Sequence, residues 1–158
     1  MDAIETSRLT LVPLRPEHAS EMAGVLADPA LHAFTGGAPL NAVELRARYE
    51  RLAAGPPGWR NWVIRLRAED CLVGYVQATV EGRTAEVAWV VGTAWQGRGL
   101  AREAAVALVE RLADEVDTVI AHIHPGHAAS QAVAAAAGLR ATSQRQDGEV
   151  RWELPAGS

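Results

Sequence analysis

Residues 86–105 constrain this chain more than any other stretch. Glu86-Val87-Ala88-Trp89-Val90-Val91 is apolar and β-branched, like a strand, and Gly92 to Trp95 makes a short loop. Gln96-Gly97-Arg98-Gly99-Leu100-Ala101 then bends into a helix that continues through Arg102-Glu103-Ala104-Ala105. Two glycines let consecutive amides turn toward one point. The first N–H groups of a helix have no partners within it, and the helix dipole adds positive charge there. Such a turn suits an anion, most naturally phosphate. A Walker A loop is excluded, because it needs a lysine and the chain has none. A dinucleotide fingerprint needs a third glycine where Arg102 stands, and a turn that directly follows the strand. An ordinary glycine-containing loop before a helix fits these six residues about as well as an anion site, so the flanking sequence decides.

The chain has 158 residues, enough for one domain with a real core. Apolar content of 49% and charged content of 22% place it among ordinary globular proteins. No leader and no apolar run of bilayer length occurs, which predicts a cytoplasmic protein without a membrane partner. Cys71 is the only cysteine, so no internal disulfide forms, and it reads as a small buried apolar residue. The net charge is −4, and no basic run is present. That argues against nucleic acid as a partner. Every basic residue other than histidine is arginine, a compositional bias.

Arg8 to Leu14 alternates like a first strand, and Pro16 opens a helix carrying Ala19, Met22, Ala23 and Leu26. Asp28-Pro29 ends it, and residues 29–40 read as an irregular loop. Asn41 with Glu44 predicts a capping box for a helix whose face is Leu45, Tyr49 and Leu52, stopped at Gly55 to Gly58. Trp62, Ile64 and Leu66 alternate with Val63, Arg65 and Arg67, predicting a half-exposed strand. Cys71 to Val80 and the segment ending near Val91 complete an antiparallel meander. After the glycine turn, Ala101, Ala104, Ala105, Leu108 and Leu112 form one helical face. Thr118 to His124 predicts a strand, Ser130 to Ala137 a helix stopped by Gly138, and Leu139 to Ser143 with Glu149 to Leu154 a closing hairpin around Asp147-Gly148. Pro155 to Ser158 are expected to fray. Strand, helix and strand around the turn form a crossover, so its two strands should be parallel.

Four segments, in order, resemble the GNAT superfamily of N-acetyltransferases, in its RimJ/RimL-type branch. Glu5-Thr6-Ser7-Arg8-Leu9 resembles the branch's Thr-x-Arg-Leu start, and Ala85-Glu86-Val87-Ala88-Trp89 its fourth strand. Trp95 to Ala104 resembles its acyl-CoA pyrophosphate loop, Gln/Arg-x-x-Gly-x-Gly/Ala, through Gln96, Gly99 and Ala101. Ile123-His124-Pro125-Gly126-His127-Ala128-Ala129-Ser130, ending in Gly138-Leu139, resembles its second cofactor motif. The resemblance implies an α/β (mixed α+β) fold. A mixed, mostly antiparallel sheet would carry a central splayed parallel strand pair, with helices on both faces.

The same resemblance implies acetyl-CoA as co-substrate and a primary amine as acceptor, joined in a ternary complex. Trp89, Val90, Val91, Gln96, Gly97, Arg98, Gly99, Leu100, Ala101, Arg102, His127 and Ser130 would bind the cofactor. Glu86 would be the general base and Ser130 the group facing the leaving thiolate. Their bland readings are a solvated strand carboxylate and a helix-start cap. His127 departs from the family's usual asparagine, although histidine also donates and accepts hydrogen bonds. Three close histidines, His122, His124 and His127, lack a further ligand at metal spacing, so no metal is expected. Glu103 reads as a complement to the helix start or a packing residue. Residues 28–62 and the hairpin near 143–150 are expected to line the acceptor groove. A non-catalytic acyl-CoA sensor of the same fold is the alternative, and the oligomeric state, a homodimer included, stays open.

Overall fold

Alternating apolar residues build most of this chain into one sheet. The computed structural model describes residues 1–34 and 36–155. Its strands are β1 (Ile4–Glu5), β2 (Leu9–Pro13), β3 (Trp59–Leu66), β4 (Cys71–Glu81), β5 (Thr84–Val91), β6 (Thr118–Ile123), β7 (Arg140–Gln146) and β8 (Glu149–Glu153). They lie in the order β1-β2-β3-β4-β5-β6-β8-β7, so the hairpin is inverted and β8 sits beside β6. Every pairing is antiparallel except that of β5 with β6. The mixed sheet and its parallel pair are as expected.

The helices are α1 (Ala19–Val25), α2 (Ala42–Ala53), α3 (Leu100–Ala113) and α4 (Ala128–Ala136). In α3 the predicted face buries Ala104, Ala105, Leu108 and Leu112, with Leu100 and Val109 added. It packs on one side of the sheet against Val76, Ala85, Val87 and Val91. On the other side, α1 and α2 bring Met22, Leu45 and Tyr49 onto Val63 and Leu72. Val63 is therefore fully buried, and β3 is not the half-exposed strand expected from sequence. Period-2 alternation does not say whether a helix covers the second face. The Asn41–Glu44 capping box is present, each side chain meeting the other residue's backbone N–H at 2.8 and 3.0 Å.

Several boundaries move. An extra short strand, β1, precedes β2, and Pro29–His32 forms a 3-10 turn inside the predicted loop. Proline pre-sets that turn and Asp28 caps it through Ala30 N–H at 2.9 Å. Strand β6 stops at Ile123 rather than His124, and α4 begins at Ala128 rather than Ser130, because His127 is its cap. At the closing hairpin Asp147 and Gly148 both have positive φ, +51° and +83°, as a two-residue type I′ turn requires. Of the segment expected to fray, residues 156–158 lie outside the described residues. Cys71 is half-buried rather than buried, and burial raises its thiol above the ordinary range. Among the described residues no helix is long and apolar enough to cross a membrane.

Candidate active site

The parallel ladder between β5 and β6 is short. It pairs Thr84, Ala85 and Glu86 with Thr118, Val119 and Ile120, and then β6 turns to β8 through Ile120–Ile123. Among the described residues, β5 from Val87 onward has a strand neighbour only on its β4 side. Gly92 N–H donates to Val73 O at 2.8 Å, which sets the phase of that antiparallel ladder. Alternation then directs the amides of Val90 and Ala88 to β4, and those of Trp89 and Val91 into the gap. So Trp89 and Val91 offer free N–H groups there. Val90, expected to act with them, reaches the cleft as a wall and not through its amide.

The glycine turn closes this gap from above. Gly99 is the N-cap of α3 with φ of +77°, and Gly97 has φ of +81°. Both conformations favour glycine. Glu103 N–H bonds to Gly99 O at 3.1 Å, but no N–H from Gly97 to Arg102 finds a partner among the described residues. A row of bare amides thus stands at the positive end of a 14-residue helix. Gln96 does not face the cleft with its amide nitrogen; Nε2 donates to Val91 O at 2.9 Å and braces the end of the split strand. The side chain of Arg98 turns away to Glu69, at 2.7 Å, leaving only its backbone to the turn. Arg102 makes no ion pair among the described residues and lines the cleft. Leu100 and Ala101 complete this wall of a cavity of ≈ 460 Å³.

The N-terminal Thr-x-Arg-Leu segment explains Glu103. Thr6 Oγ1 and the backbone N–H of Arg8 both donate to Glu103 Oε2, the latter at 2.9 Å, while Arg8 Nε meets Oε1 at 2.7 Å. A second Arg8 nitrogen donates to Arg98 O at 2.8 Å. The chain start is clamped onto the glycine turn, and the Glu103 charge is consumed there. Burial alone would raise the Glu103 carboxyl, yet the hydrogen bonds from Thr6 and Arg8 outweigh it and hold it below the usual range. A carboxyl depressed by folding stabilises the fold above its unfolded value, about 4.3, and loses that contribution as pH falls through the lower folded value. We expect Glu103→Gln to lower Tm at pH 7. The difference from wild type should shrink below about pH 4, which Tm measured against pH by circular dichroism will show.

On the far side of the cleft, His127 caps α4. Its Nδ1 accepts from Ser130 N–H at 3.3 Å, and its Nε2 lies 3.1 Å from Ser130 Oγ. Burial first, and then the neighbouring His124, pull its pKa below the ordinary value, so the ring is neutral at pH 7. A backbone N–H only donates, so Nδ1 is bare and the ring proton sits on Nε2, facing Ser130 Oγ. Ser130 accepts that proton's hydrogen bond and keeps its own O–H for the cleft. Phe34, from the segment after the 3-10 turn, stacks on His127 at 4.5 Å with an interplanar angle of 22°. Ala30, Leu31 and Phe34, expected with the rest of residues 28–62 in the acceptor groove, form a wall of this cleft. Nothing in the loop's composition signals its fold-back onto α4.

Glu86 stands apart. It does not line the cleft, and it is the last β5 residue paired with β6. Its side chain is 49% exposed and lies 3.0 Å from Nδ1 of His122, which is 8% exposed. Along β5, Val90 lies four steps beyond Glu86, roughly 13 Å at ~3.3 Å per residue. Glu86 therefore reaches a reacting group in the cleft only through water. His122 as its partner was missed; the parallel register pairs Glu86 with Ile120, and His122 lies two residues further along β6 on the same face. Among the described residues no cluster of three or more His, Cys, Asp or Glu side chains is arranged for a metal.

A second cavity of ≈ 470 Å³ lies between α2 and the sheet, lined by residues from Leu14 to Gln77. Tyr75, in this cavity, is the direct cross-strand partner of Val90, in the cleft. Directly paired side chains on one face lie about 5 Å apart, so the two cavities adjoin. The closing hairpin contributes to neither, contrary to expectation, because its inverted order carries β7 to the sheet's outer edge.

The split sheet and the bare helix start define a mixed α/β domain that can hold an anionic chain between two diverging strands. Residues 8–140 match the family described as Acetyltransferase (GNAT) domain, and the chain belongs to that family. None of the curated proteins matches the chain in sequence. Among solved structures, RimL, a ribosomal L7/L12 alpha-N-protein acetyltransferase in complex with coenzyme A, superposes with a TM-score of 0.81 at 16% identity, covering 96% of this chain and 97% of that one. A GNAT-family acetyltransferase from Bacillus anthracis gives 0.79 at 18% identity, with 96% of each chain covered. An aminoglycoside acetyltransferase, AAC(6')-Ib in complex with coenzyme A and kanamycin, gives 0.76 at 16%, covering 94% and 95%. At these identities the likeness is one of fold.

Proposed function

We propose that this chain is an acetyl-CoA-dependent N-acetyltransferase that transfers the acetyl group directly to a primary amine. The row of unpartnered amides from Gly97 to Arg102, set over a strand edge freed by the split, carries this reading. Those amides and Arg102 would hold the pyrophosphate, and the edge of β5 at Trp89 and Val91 would hold the pantetheine arm. Bound there, acetyl-CoA supplies the activated acyl group as a thioester. The free N–H groups of Trp89 and Val91 polarise the acyl oxygen. Ser130, its hydroxyl oriented by His127, donates to the departing sulfur. Glu86 with His122 removes the proton of the attacking amine through water. The Thr6-Arg8 clamp and the fold of RimL support the RimJ/RimL-type branch.

Measuring CoA release over a panel of amines, beside calorimetric titration of acetyl-CoA, tests the proposal. Binding with no turnover on any amine would establish the sensor reading instead. Ser130→Ala should lower kcat about tenfold while changing acetyl-CoA affinity little, because its donor matters most as charge develops on sulfur. If turnover is unaltered and Tm falls, Ser130 is only part of the α4 cap.

A further inference from the structure

The cavity beneath α2 has a chemistry of its own. Leu14, Leu26, Leu40, Leu45 and Leu52 make its wall apolar. No aspartate or glutamate lines it among the described residues, although the chain as a whole is acidic. Its one full cation is Arg48, which forms no ion pair among the described residues and stands close enough to Tyr49 and Tyr75 to act on both phenols. Tyr49 is 3% exposed, and its hydroxyl has no hydrogen-bond partner among the described residues. A buried hydroxyl left unpaired is costly, so it points to a ligand group that satisfies it. Gln77 donates through Nε2 to Asn61 Oδ1 at 2.8 Å, which fixes its amide and leaves Oε1 as an acceptor in the cavity.

Resting on the transferase reading above, we propose that the acceptor is a compact monoamine that also carries an anionic group, and not a polycation. The amine end lies toward Gln77 and Tyr75, beside the Val90 boundary with the cleft. The apolar body fills the leucine wall, and the carboxylate or phosphate pairs with Arg48. A neutral acceptor such as Gln77 Oε1 holds an amine N–H while stabilising its protonated form less than a carboxylate would, which suits the attacking state. A second ammonium would meet Arg48 with no carboxylate to offset the repulsion. The cavity volume lies in the small-molecule range, which favours an amino-acid-sized acceptor over an extended chain.

The test compares phenylalanine, its methyl ester, phosphoethanolamine, spermidine and an acidic hexapeptide. Each is followed by CoA release and by calorimetric binding to the CoA-loaded protein. Phenylalanine or phosphoethanolamine should exceed the ester and spermidine by roughly tenfold or more in kcat/KM or affinity, and their order identifies carboxylate or phosphate. In Arg48→Ala the preference for the acid over the ester should collapse toward unity, while Arg48→Lys retains part of it. Arg48 is exposed, so these variants should keep the wild-type Tm. Preference for spermidine, a hexapeptide better than every small amine, or an acid-to-ester ratio unchanged in Arg48→Ala would overturn the proposal. If acetyl-CoA binds but no amine is turned over, the transferase reading fails. The calorimetric preference, and its loss in Arg48→Ala, still decides this one.

Discussion

Gly99→Val should weaken acetyl-CoA binding by on the order of tenfold to a hundredfold while leaving a folded protein. Gly99 caps α3 at φ of +77°, where a β-branched residue is strained by about 1–3 kcal/mol. An added Cβ would also stand 3.4 Å from the Arg8 guanidinium, the group that holds this turn to the N-terminal segment. The chain relieves the backbone strain by rotating the turn, and rotation disperses the amides from Gly97 to Arg102 that would converge on one anion. Gly97→Val has the same positive φ but open space around its Cβ, so it should cost less. Gly99→Asn tolerates the left-handed conformation and should recover part of the affinity. Calorimetric titration with acetyl-CoA, alongside circular dichroism, reads all three. Wild-type affinity in folded Gly99→Val would refute the assignment of this turn.

What was legible in the sequence follows the physics that acts locally. The glycine turn, the α3 face, the Asn41–Glu44 box and the Asp147-Gly148 hairpin each depend on a few adjacent residues, and all four are in the structure. The parallel pairing of β5 with β6 followed from a rule about crossovers rather than from any residue. Features created by distant contacts were not legible. Val63 looks solvent-facing until α1 and α2 cover it, and Gln96 looks like a ligand residue until the end of β5 presents Val91 O to it. The Thr6-Arg8 segment matched a motif by its letters, and its partner, Glu103, lies about a hundred positions away. His122 beside Glu86 is of the same kind. Alternation along β6 placed His122 and His124 on one face, but only the tertiary contacts decide that the first meets a carboxylate and the second packs beside Phe34.

That pair should control the proton of the amine. A free alkyl amine is mostly protonated at neutral pH, and only its neutral form attacks a thioester. Glu86→Gln keeps the size and one hydrogen bond to His122 but removes the carboxylate. The rate near pH 7 should therefore fall by about 10²-fold, the low end for a positioned base, since the transfer runs through water. Activity should recover in part at higher pH, where solvent deprotonates more of the amine. Acceptors with an α-amine pKa of about 8 should suffer less than alkyl amines near about 10. His122→Asn tests whether the two act as one unit. If they do, the double variant should be little slower than Glu86→Gln alone, because groups in one relay are non-additive. Rate–pH profiles for the wild type, both single variants and the double variant, each with both amine types, give the answer. Profiles that run parallel at every pH would make Glu86 a solvated strand residue bonded to a structural histidine.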